Sequence, residues 1–206
     1  MTIANGYATV ADVKARAESI NAMGTAMDAV LEMCIETASR MVDNYCDRRF
    51  YTNGTAEVRT YAAGARTVIE IDDLASAPVS VKTSSALDGT YDVTWAATDF
   101  QAEPVNRIGA GVASPYTHLR AVGNYTFPVD PRAGVQVTGT FGYGTAVPTQ
   151  VTHATILLAL RQLKRYESPT GVQGSADFGA VYISRKTDPD VAMILDPLRR
   201  YRAAVA

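Results

Sequence analysis

The 206-residue sequence is poor in the residues that build disulfides and metal sites, with two cysteines and two histidines. Cys34 and Cys46 fall on one predicted helix, about 18 Å apart along its axis, which is far beyond disulfide reach. We therefore predict two buried, reduced thiols. His118 and His153 cannot form a histidine-rich metal site, and neither has a cysteine or carboxylate at ligand spacing. We expect no metal ion and no other cofactor.

Long apolar runs and an excess of charge of one sign are also lacking. No segment has the length of a transmembrane helix and the N-terminus lacks the apolar region of a signal peptide, so we expect an intracellular protein with no membrane partner. The formal net charge of −2 gives no general basic surface for nucleic acid. The composition, 47% hydrophobic and 19% charged, is that of a globular protein able to fold without metal or disulfide.

Catalytic motifs are absent as well. Gly139, Gly142 and Gly144 precede a predicted helix, but no Lys-Ser/Thr pair follows and the spacing is not that of a dinucleotide site. A turn that needs positive φ explains these glycines better. The sequence has no Gly-x-Ser-x-Gly elbow, and the acidic residues 72–73 and Glu103 are typical of a turn and a strand end. We predict that the protein is not an enzyme and has no catalytic, cofactor-binding or metal-binding residues.

The strongest periodicity lies in residues 25–51. Apolar residues recur there at steps of three and four, which predicts an amphipathic α-helix of about 20 residues. The apolar stripe comprises Met27, Val30, Leu31, Cys34, Ile35, Ala38, Met41, Val42 and Tyr45. Thr25 and Asp28 have the spacing of a capping box, and Thr9 with Asp12 repeats it ahead of a short helix. We expect the long helix to form the spine of the fold.

From about residue 51 to residue 143 the period changes from helical to strand-like. Seven short strands separated by turn signals predict an antiparallel sheet, a sandwich or a partly closed barrel. The strand candidates are residues 56–60, 67–71, 78–83, 91–95, 99–102, 117–122 and 135–141. Helix returns at Pro148, which we expect to be an early helical residue, and a last helix opens at Asp188 with Pro189 at its first helical position.

These elements predict an α+β protein: a helical bundle built from both chain ends, with an inserted antiparallel β-rich subdomain. We divide the chain into N-terminal helices (1–50), a β-rich insertion (51–147) and C-terminal helices (148–206), the first and last forming one structural unit. Residues 168–187 form a long glycine-containing loop, and loops of this length are usually functional or disordered. The loop contains an apolar stretch that could form a strand or an arm that adheres to another surface. This stretch consists of Phe178, Val181, Tyr182 and Ile183.

Four segments carry recognisable structural motifs. Residues 38–51 (ASRMVDNYCDRRFY) lead from a helix into strands, and residues 98–106 (TDFQAEPVN) read as a strand and a turn. Residues 135–148 (VQVTGTFGYGTAVP) read as a strand and a Gly-Tyr-Gly turn before a helix, and residues 188–201 (DPDVAMILDPLRRY) as a helix with an internal proline and following arginines. In this order they resemble the head-to-tail adaptor (head-completion) proteins of long-tailed bacteriophages. The middle strands and the 168–187 loop match no motif of that family.

The resemblance implies a structural protein of the virion neck, assembled in the host cytoplasm. It implies a homo-oligomeric ring, usually of twelve copies, that sits beneath the portal protein and offers a platform for the next neck or tail-completion protein. The ring would extend the DNA channel and let genomic DNA pass without sequence-specific binding. We expect contacts between subunits or with the portal through Phe178, Val181, Tyr182, Ile183, Arg185, Arg199, Arg200, Tyr201 and Arg202. For the arginines, a solvated helix end is the alternative.

A second hypothesis comes from a different class of protein. The β-rich insertion could be a module that binds a ligand or carbohydrate, with the helices as its scaffold. Its exposed aromatic residues would be Trp95, Tyr116 and Tyr125. Trp95 is the only tryptophan, and its place on a strand with Tyr91 and Val93 is more typical of a core residue.

Overall fold

The computed structural model describes residues 3–16, 24–109, 112–167, 172–175, 179–182 and 188–200. The chain divides into two compact units. Met1–Arg48 and Val147–Ala206 form the first, which we call the helical unit, and Arg49–Ala146 form the second, the β unit. All paired strands of the sheets are antiparallel. The predicted α+β class with antiparallel sheets is therefore confirmed.

The described part of the helical unit contains four α-helices drawn from both ends of the chain. They are α1 (Val10–Arg16), α2 (Asp28–Cys46), α3 (Thr149–Glu167) and α4 (Pro189–Leu195), which a 3-10 turn (Asp196–Leu198) extends. The helix α2 packs against α3, and α1 and α4 each contact both of them. The buried residues of α2 include five of the predicted apolar stripe, Leu31, Cys34, Ile35, Ala38 and Val42, together with Ser39 and Cys46. Helices from the two chain ends thus bury one common core.

The starts of the helices follow the capping rules in part. Thr9 and Asp12 form the predicted capping box, in which the Asp12 backbone N–H donates to Thr9 Oγ1 at 3.1 Å. The second capping box, at Thr25 and Asp28, was predicted wrongly. The helix begins only after Met27, which makes no side-chain cap, and the Asp28 carboxylate forms an ion pair with Lys14. An ion-pair partner on α1 therefore replaces the expected local cap.

The β unit, described at residues 49–109 and 112–146, contains nine strands there, in two larger sheets and one hairpin. Each of the seven predicted strands is present. The strands are β1 (Glu57–Tyr61), β2 (Val68–Leu74), β3 (Ser80–Thr83), β4 (Val93–Trp95), β5 (Phe100–Glu103), β6 (Ile108–Gly109), β7 (Val112–Ala113), β8 (Tyr116–Ala121) and β9 (Val135–Gly139). One sheet has the order β1-β9-β3-β4, the other β2-β8-β5, and β6 pairs with β7.

Buried side chains of both sheets form one hydrophobic core in the β unit. This core comprises Ala63, Ile69, Ile71, Leu74, Val81, Trp95, Leu119, Phe127, Val135, Val137 and Phe141. The prediction of a turn at residues 72–73 was wrong, because β2 continues to Leu74. Asp72 stays in the strand because Arg59 and Tyr61 of β1 donate hydrogen bonds to its carboxylate. Polar partners on β1, a strand of the other sheet, therefore override the turn preference of two adjacent aspartates.

The predicted turn with positive φ is present at Gly142, whereas Gly139, the last residue of β9, and Gly144 have no positive φ. Gly142 has a φ of +135°, and a Cβ at this position would overlap the carbonyl oxygen of Tyr51. A Cβ on Gly139 would lie 2.7 Å from Cδ1 of the buried Leu74. Just past Gly142, the Tyr143 backbone N–H donates to the Arg49 carbonyl at 2.8 Å. The last residues of the β unit thus pack directly against its first residues.

We predict that Gly142→Ala destabilises the β unit by more than about 1 kcal/mol, because alanine is strained at this φ and its methyl group meets fixed backbone. Denaturant unfolding followed by Trp95 fluorescence measures this, since the only tryptophan is buried in the core of the β unit. The control is Gly64→Ala, where a Cβ would have no atom within 4 Å. Equal unfolding midpoints for the two variants would contradict the prediction.

Candidate assembly surface

The structure describes four of the nine predicted interface residues. Val181 and Tyr182 belong to the strand β11 (Gly179–Tyr182), which pairs with β10 (Val172–Ser175). Arg199 and Arg200 follow the 3-10 turn at the end of α4. The remaining five lie outside the described residues, namely Phe178, Ile183, Arg185, Tyr201 and Arg202.

Arg199 and Arg200 lie against the C-terminal end of α2. The Arg199 guanidinium is 5.0 Å from the centre of the Tyr45 ring, and its Nη1 is 3.8 Å from Asp196 Oδ1. The Tyr45 hydroxyl donates to the same Asp196 oxygen at 2.6 Å, a hydrogen bond that raises the pKa of Tyr45. The Arg200 backbone N–H donates to the carbonyl of Cys46 at 2.8 Å. These contacts fasten the end of α4 to α2.

Large apolar side chains are exposed on three helices of the helical unit. In the part of this unit that the structure describes there are four of them, which we call the methionine surface. They are Met33 (46% exposed), Met41 (39%), Tyr166 (56%) and Met193 (75%). Single exposed apolar residues are ordinary, but a connected group marks a surface for association.

One of the four side chains, Met41, contacts a neighbouring helix. Met33 and Met41 lie eight residues apart on α2, with the exposed Thr37 between them at steps of four. The Gln162 side-chain amide of α3 donates to the Met41 sulfur at 3.3 Å, and Tyr166 lies one turn further along α3. Met193 lies three residues before Asp196, which accepts the Tyr45 hydroxyl, and Tyr45 lies one turn beyond Met41. The structure thus shows a contact between α2 and α3 at Met41 and Gln162.

Sequence reasoning missed this surface. It placed Met41 on the buried stripe, whereas the side chain is 39% exposed. Met33 falls outside the buried stripe of α2. A methionine among the polar positions of this helix was the feature of the sequence that could have indicated an exposed apolar side chain. The exposure of Tyr166 and Met193 depends on how α3 and α4 pack against α2, which helical periodicity alone does not determine.

The strands β10 and β11 form a hairpin that pairs only with itself among the described strands. Val172 lies opposite Tyr182, and Gly174 lies opposite Ala180. All eight residues of the two strands are uncharged. A two-stranded sheet is at best marginally stable in water unless one of its faces packs against another surface.

Two arginines of the β unit, Arg49 and Arg59, form ion pairs with the carboxylate of Glu57. Arg49 Nη2 lies 2.7 Å from Glu57 Oε1, and Arg59 Nη2 lies 2.9 Å from Glu57 Oε2. Arg59 Nη1 also donates to Asp72 Oδ2 at 2.8 Å, and its guanidinium lies 4.2 Å from the centre of the Phe141 ring. Burial favours the neutral form of Glu57, but hydrogen bonds from the two arginines outweigh it and lower the pKa of Glu57. The network ties β1 to β2.

A cavity of about 540 Å³ opens beside the first two turns of α3. Its lining residues are Arg16, Thr149, Gln150, Thr152, His153 and Ile156. This lining contains no carboxylate or thiol that could pair with His153 as a nucleophile or a general base. Across the described ranges, no group of three or more His, Cys, Asp or Glu side chains is arranged to hold a metal ion.

The two cysteines are buried and free, as predicted. Burial raises the pKa of the Cys34 thiol and raises that of Cys46 to about 12. Both thiols therefore stay protonated and unreactive at neutral pH.

The aromatic residues of the ligand-binding hypothesis do not form an open platform. Trp95 is only 4% exposed, and its ring stacks on Phe127 with a centroid distance of 4.7 Å. Its indole N–H donates to Thr83 Oγ1 at 3.1 Å. Tyr125 remains 42% exposed, and Tyr116 is partly buried under Arg107. Trp95, on which the ligand-binding hypothesis most depends, is therefore a core residue.

Among the helices within the described ranges, none has both the length and the apolar character needed to cross a membrane.

Comparison with solved structures gives a likeness over the full length of the chain. A chain in the neck of a native gene transfer agent (GTA) particle, computed with C12 symmetry, matches with a TM-score of 0.57 and 16% identity. The match covers 100% of this chain and 96% of that one. The chain shares the fold of that neck protein. No protein-family model and no curated protein matches the sequence.

Two further solved structures agree with this likeness. A chain in the neck of an empty GTA particle, computed with C6 symmetry, has a TM-score of 0.50 and 17% identity over 87% of this chain and 82% of that one. A chain in the virion of a native GTA particle has a TM-score of 0.50 and 18% identity, covering 88% and 82%. At these identities the likeness establishes the fold.

We predict that Glu57→Gln lowers the stability of the β unit at pH 7 and has a smaller effect in acid. The pKa of Glu57 in the folded chain lies below its ordinary value of 4.5, so its stabilising contribution is complete above that value. The contribution is lost as the pH falls through 4.5 towards the folded pKa. Urea midpoints from Trp95 fluorescence should therefore differ most at neutral pH, with the difference shrinking below pH 4.5.

The control for this prediction is Glu70→Gln, which removes an exposed carboxylate from β2 of the same unit. A Glu57→Gln effect of constant size across the pH range would show that the carboxylate charge is not what stabilises the network.

Proposed function

We propose that this protein is a structural component of a virion neck, a head-to-tail adaptor that assembles as a ring of twelve copies beneath the portal protein. The ring extends the DNA channel and provides a platform for the next neck or tail-completion protein. The protein acts through assembly and carries out no chemical step. In this proposal residues 1–50 and 148–206 work as one unit, and residues 51–147 are an insertion into it.

The full-length likeness to a chain of a C12-symmetric neck carries this proposal. The match covers 100% of this chain, so it includes both the helices and the β unit. The four adaptor-like motifs also fall on separate elements of this fold, namely α2, β5, β9 and α4. A resemblance in sequence motifs and a likeness in fold thus support the same role independently.

The charge of the chain suits a channel through which DNA passes. Phosphate contacts by basic side chains give DNA binding with a strong salt dependence, and such contacts would retard a moving duplex. The formal net charge here is −2. Arg199 contacts Tyr45 and Asp196 of its own chain, which favours a role in protein packing.

We expect a purified chain of 22.0 kDa to form a ring of about twelve copies when mixed with portal rings from the same genome. Native mass spectrometry of the chain alone and of the mixture measures this directly. A ring formed by the chain alone agrees with the proposal, because the subunit interface is then sufficient by itself. A chain that stays monomeric in both samples would overturn the proposal.

We also expect the β10–β11 hairpin to be required for the ring. Replacing residues 172–182 with a short glycine linker should abolish the multi-copy species in the same mass measurement. The matched control shortens the β6–β7 hairpin at residues 108–113, which is also two-stranded but belongs to the β unit. Normal rings from the first variant would exclude the hairpin from the assembly contacts.

A further inference from the structure

We propose that Asn53 is a site of spontaneous covalent modification, at which the side-chain amide of the folded chain is converted to a carboxylate with Gly54 as the reacting neighbour. The sequence contains two Asn-Gly pairs, Asn5-Gly6 and Asn53-Gly54. Asparagine is thermally labile, and a following glycine lets the backbone bend back onto the side chain. The second pair is open in the structure and the first is fastened, so the fold selects one of two chemically identical sites. This inference does not depend on the proposed ring.

The reaction is an intramolecular acyl transfer that consumes only water. The Gly54 backbone nitrogen attacks Cγ of Asn53 and gives up its proton, so that an N–Cγ bond forms and the Cγ–Nδ2 bond breaks. Nδ2 leaves as ammonia with the bonding electron pair and that proton, and a cyclic succinimide remains. Water then opens the ring at either carbonyl, which gives aspartate or isoaspartate at position 53. Amide and water have become carboxylate and ammonium, with no change in oxidation state.

The backbone around Gly54 is free to make this attack. Asn53, Gly54 and Thr55 are all exposed, and Gly54 lies in a bend with a φ of +71°. Among the described residues the Gly54 backbone N–H has no hydrogen-bond partner, so its nitrogen is available as the nucleophile. A Cβ on Gly54 would have no atom within 4 Å, which leaves open space beside the residue for the succinimide ring.

The Asn53 side chain is held by a single contact in the described structure. Its Nδ2 donates a hydrogen bond to Glu57 Oε1 at 2.9 Å. One exposed hydrogen bond contributes little net stability, because water replaces it readily. The amide can therefore rotate away from Glu57 and meet the Gly54 nitrogen.

The modification changes the charge at the start of β1. Glu57 and Asp72 already balance the charges of Arg49 and Arg59 through three ion pairs. A carboxylate at position 53 replaces the donor to Glu57 and adds a negative charge that this network does not compensate. Conversion of Asn53 therefore weakens the contacts of Glu57.

The Asn-Gly pair near the N-terminus is fastened on both sides. The Asn5 carbonyl accepts a hydrogen bond from Arg40 Nη2 at 2.8 Å, and the Tyr7 backbone N–H donates to Ser39 Oγ at 3.1 Å. Gly6 itself is crowded, because a Cβ there would overlap a methyl carbon three residues earlier in the chain. Ring closure would have to move the peptide between Asn5 and Gly6, so these contacts slow it.

Peptide mass spectrometry on one ageing sample measures both sites. The folded chain is kept in a mildly alkaline buffer, sampled over time and digested with trypsin. Trypsin releases residues 1–14 and residues 50–59 as separate peptides, each with one asparagine and no glutamine. We expect the mass gain from amide to acid to appear in residues 50–59 at least about tenfold faster than in residues 1–14.

Unfolding the chain is the control for the effect of the fold. The same incubation in urea should bring the two rates to within about twofold of each other, because both pairs are then free of contacts. A folded chain that converts Asn53 no faster than Asn5 would overturn the inference. A rate ratio that urea leaves unchanged would overturn it as well, since the fold would then not select the site.

Gly54→Ala tests the identity of the attacking residue. The added methyl group hinders approach of the backbone nitrogen and should slow conversion of Asn53 at least about tenfold, with Asn5 of the same sample as the internal reference. The matched control is Gly64→Ala, a second exposed glycine with open space beside it, which should leave both rates unchanged. Unaltered conversion of Asn53 in Gly54→Ala would exclude the proposed route.

Asn53→Asp tests the consequence of the modification. This variant carries the new carboxylate from the start, whereas Asn53→Ser removes the amide without adding charge. We expect a lower urea midpoint of the β unit for Asn53→Asp than for Asn53→Ser at neutral pH, followed by Trp95 fluorescence. An equal or higher midpoint for Asn53→Asp would contradict the weakening of the Glu57 contacts.

Discussion

The packing of α2 against α3 is the contact on which the helical unit depends. These helices come from opposite sides of the β unit in the sequence, yet they bury one core. Ala38 on α2 and Ala154 and Ala159 on α3 are fully buried, and such small side chains let helix backbones approach closely. The entropic cost of closing the long intervening segment grows only logarithmically with its length, so a packed helix pair can offset it.

The β unit makes that closure easier because its own two ends are held together. Tyr143 donates a backbone hydrogen bond to Arg49, and the Arg49 guanidinium donates to the Phe141 carbonyl at 2.7 Å. The same guanidinium holds Glu57 at the start of β1. Insertions whose ends lie close together leave the surrounding fold intact.

The sequence was informative wherever one physical rule decided the outcome. Helical periodicity predicted the buried stripe of α2, strand alternation predicted the seven main strands, and positive φ explained Gly142. Prediction failed where partners distant in the sequence competed with a local rule. The Asp28 carboxylate, expected to cap α2, forms an ion pair with Lys14 instead. A hydrogen bond from Arg59 holds Asp72 in β2. The exposure of Met41 was missed because it depends on how α2 packs against α3.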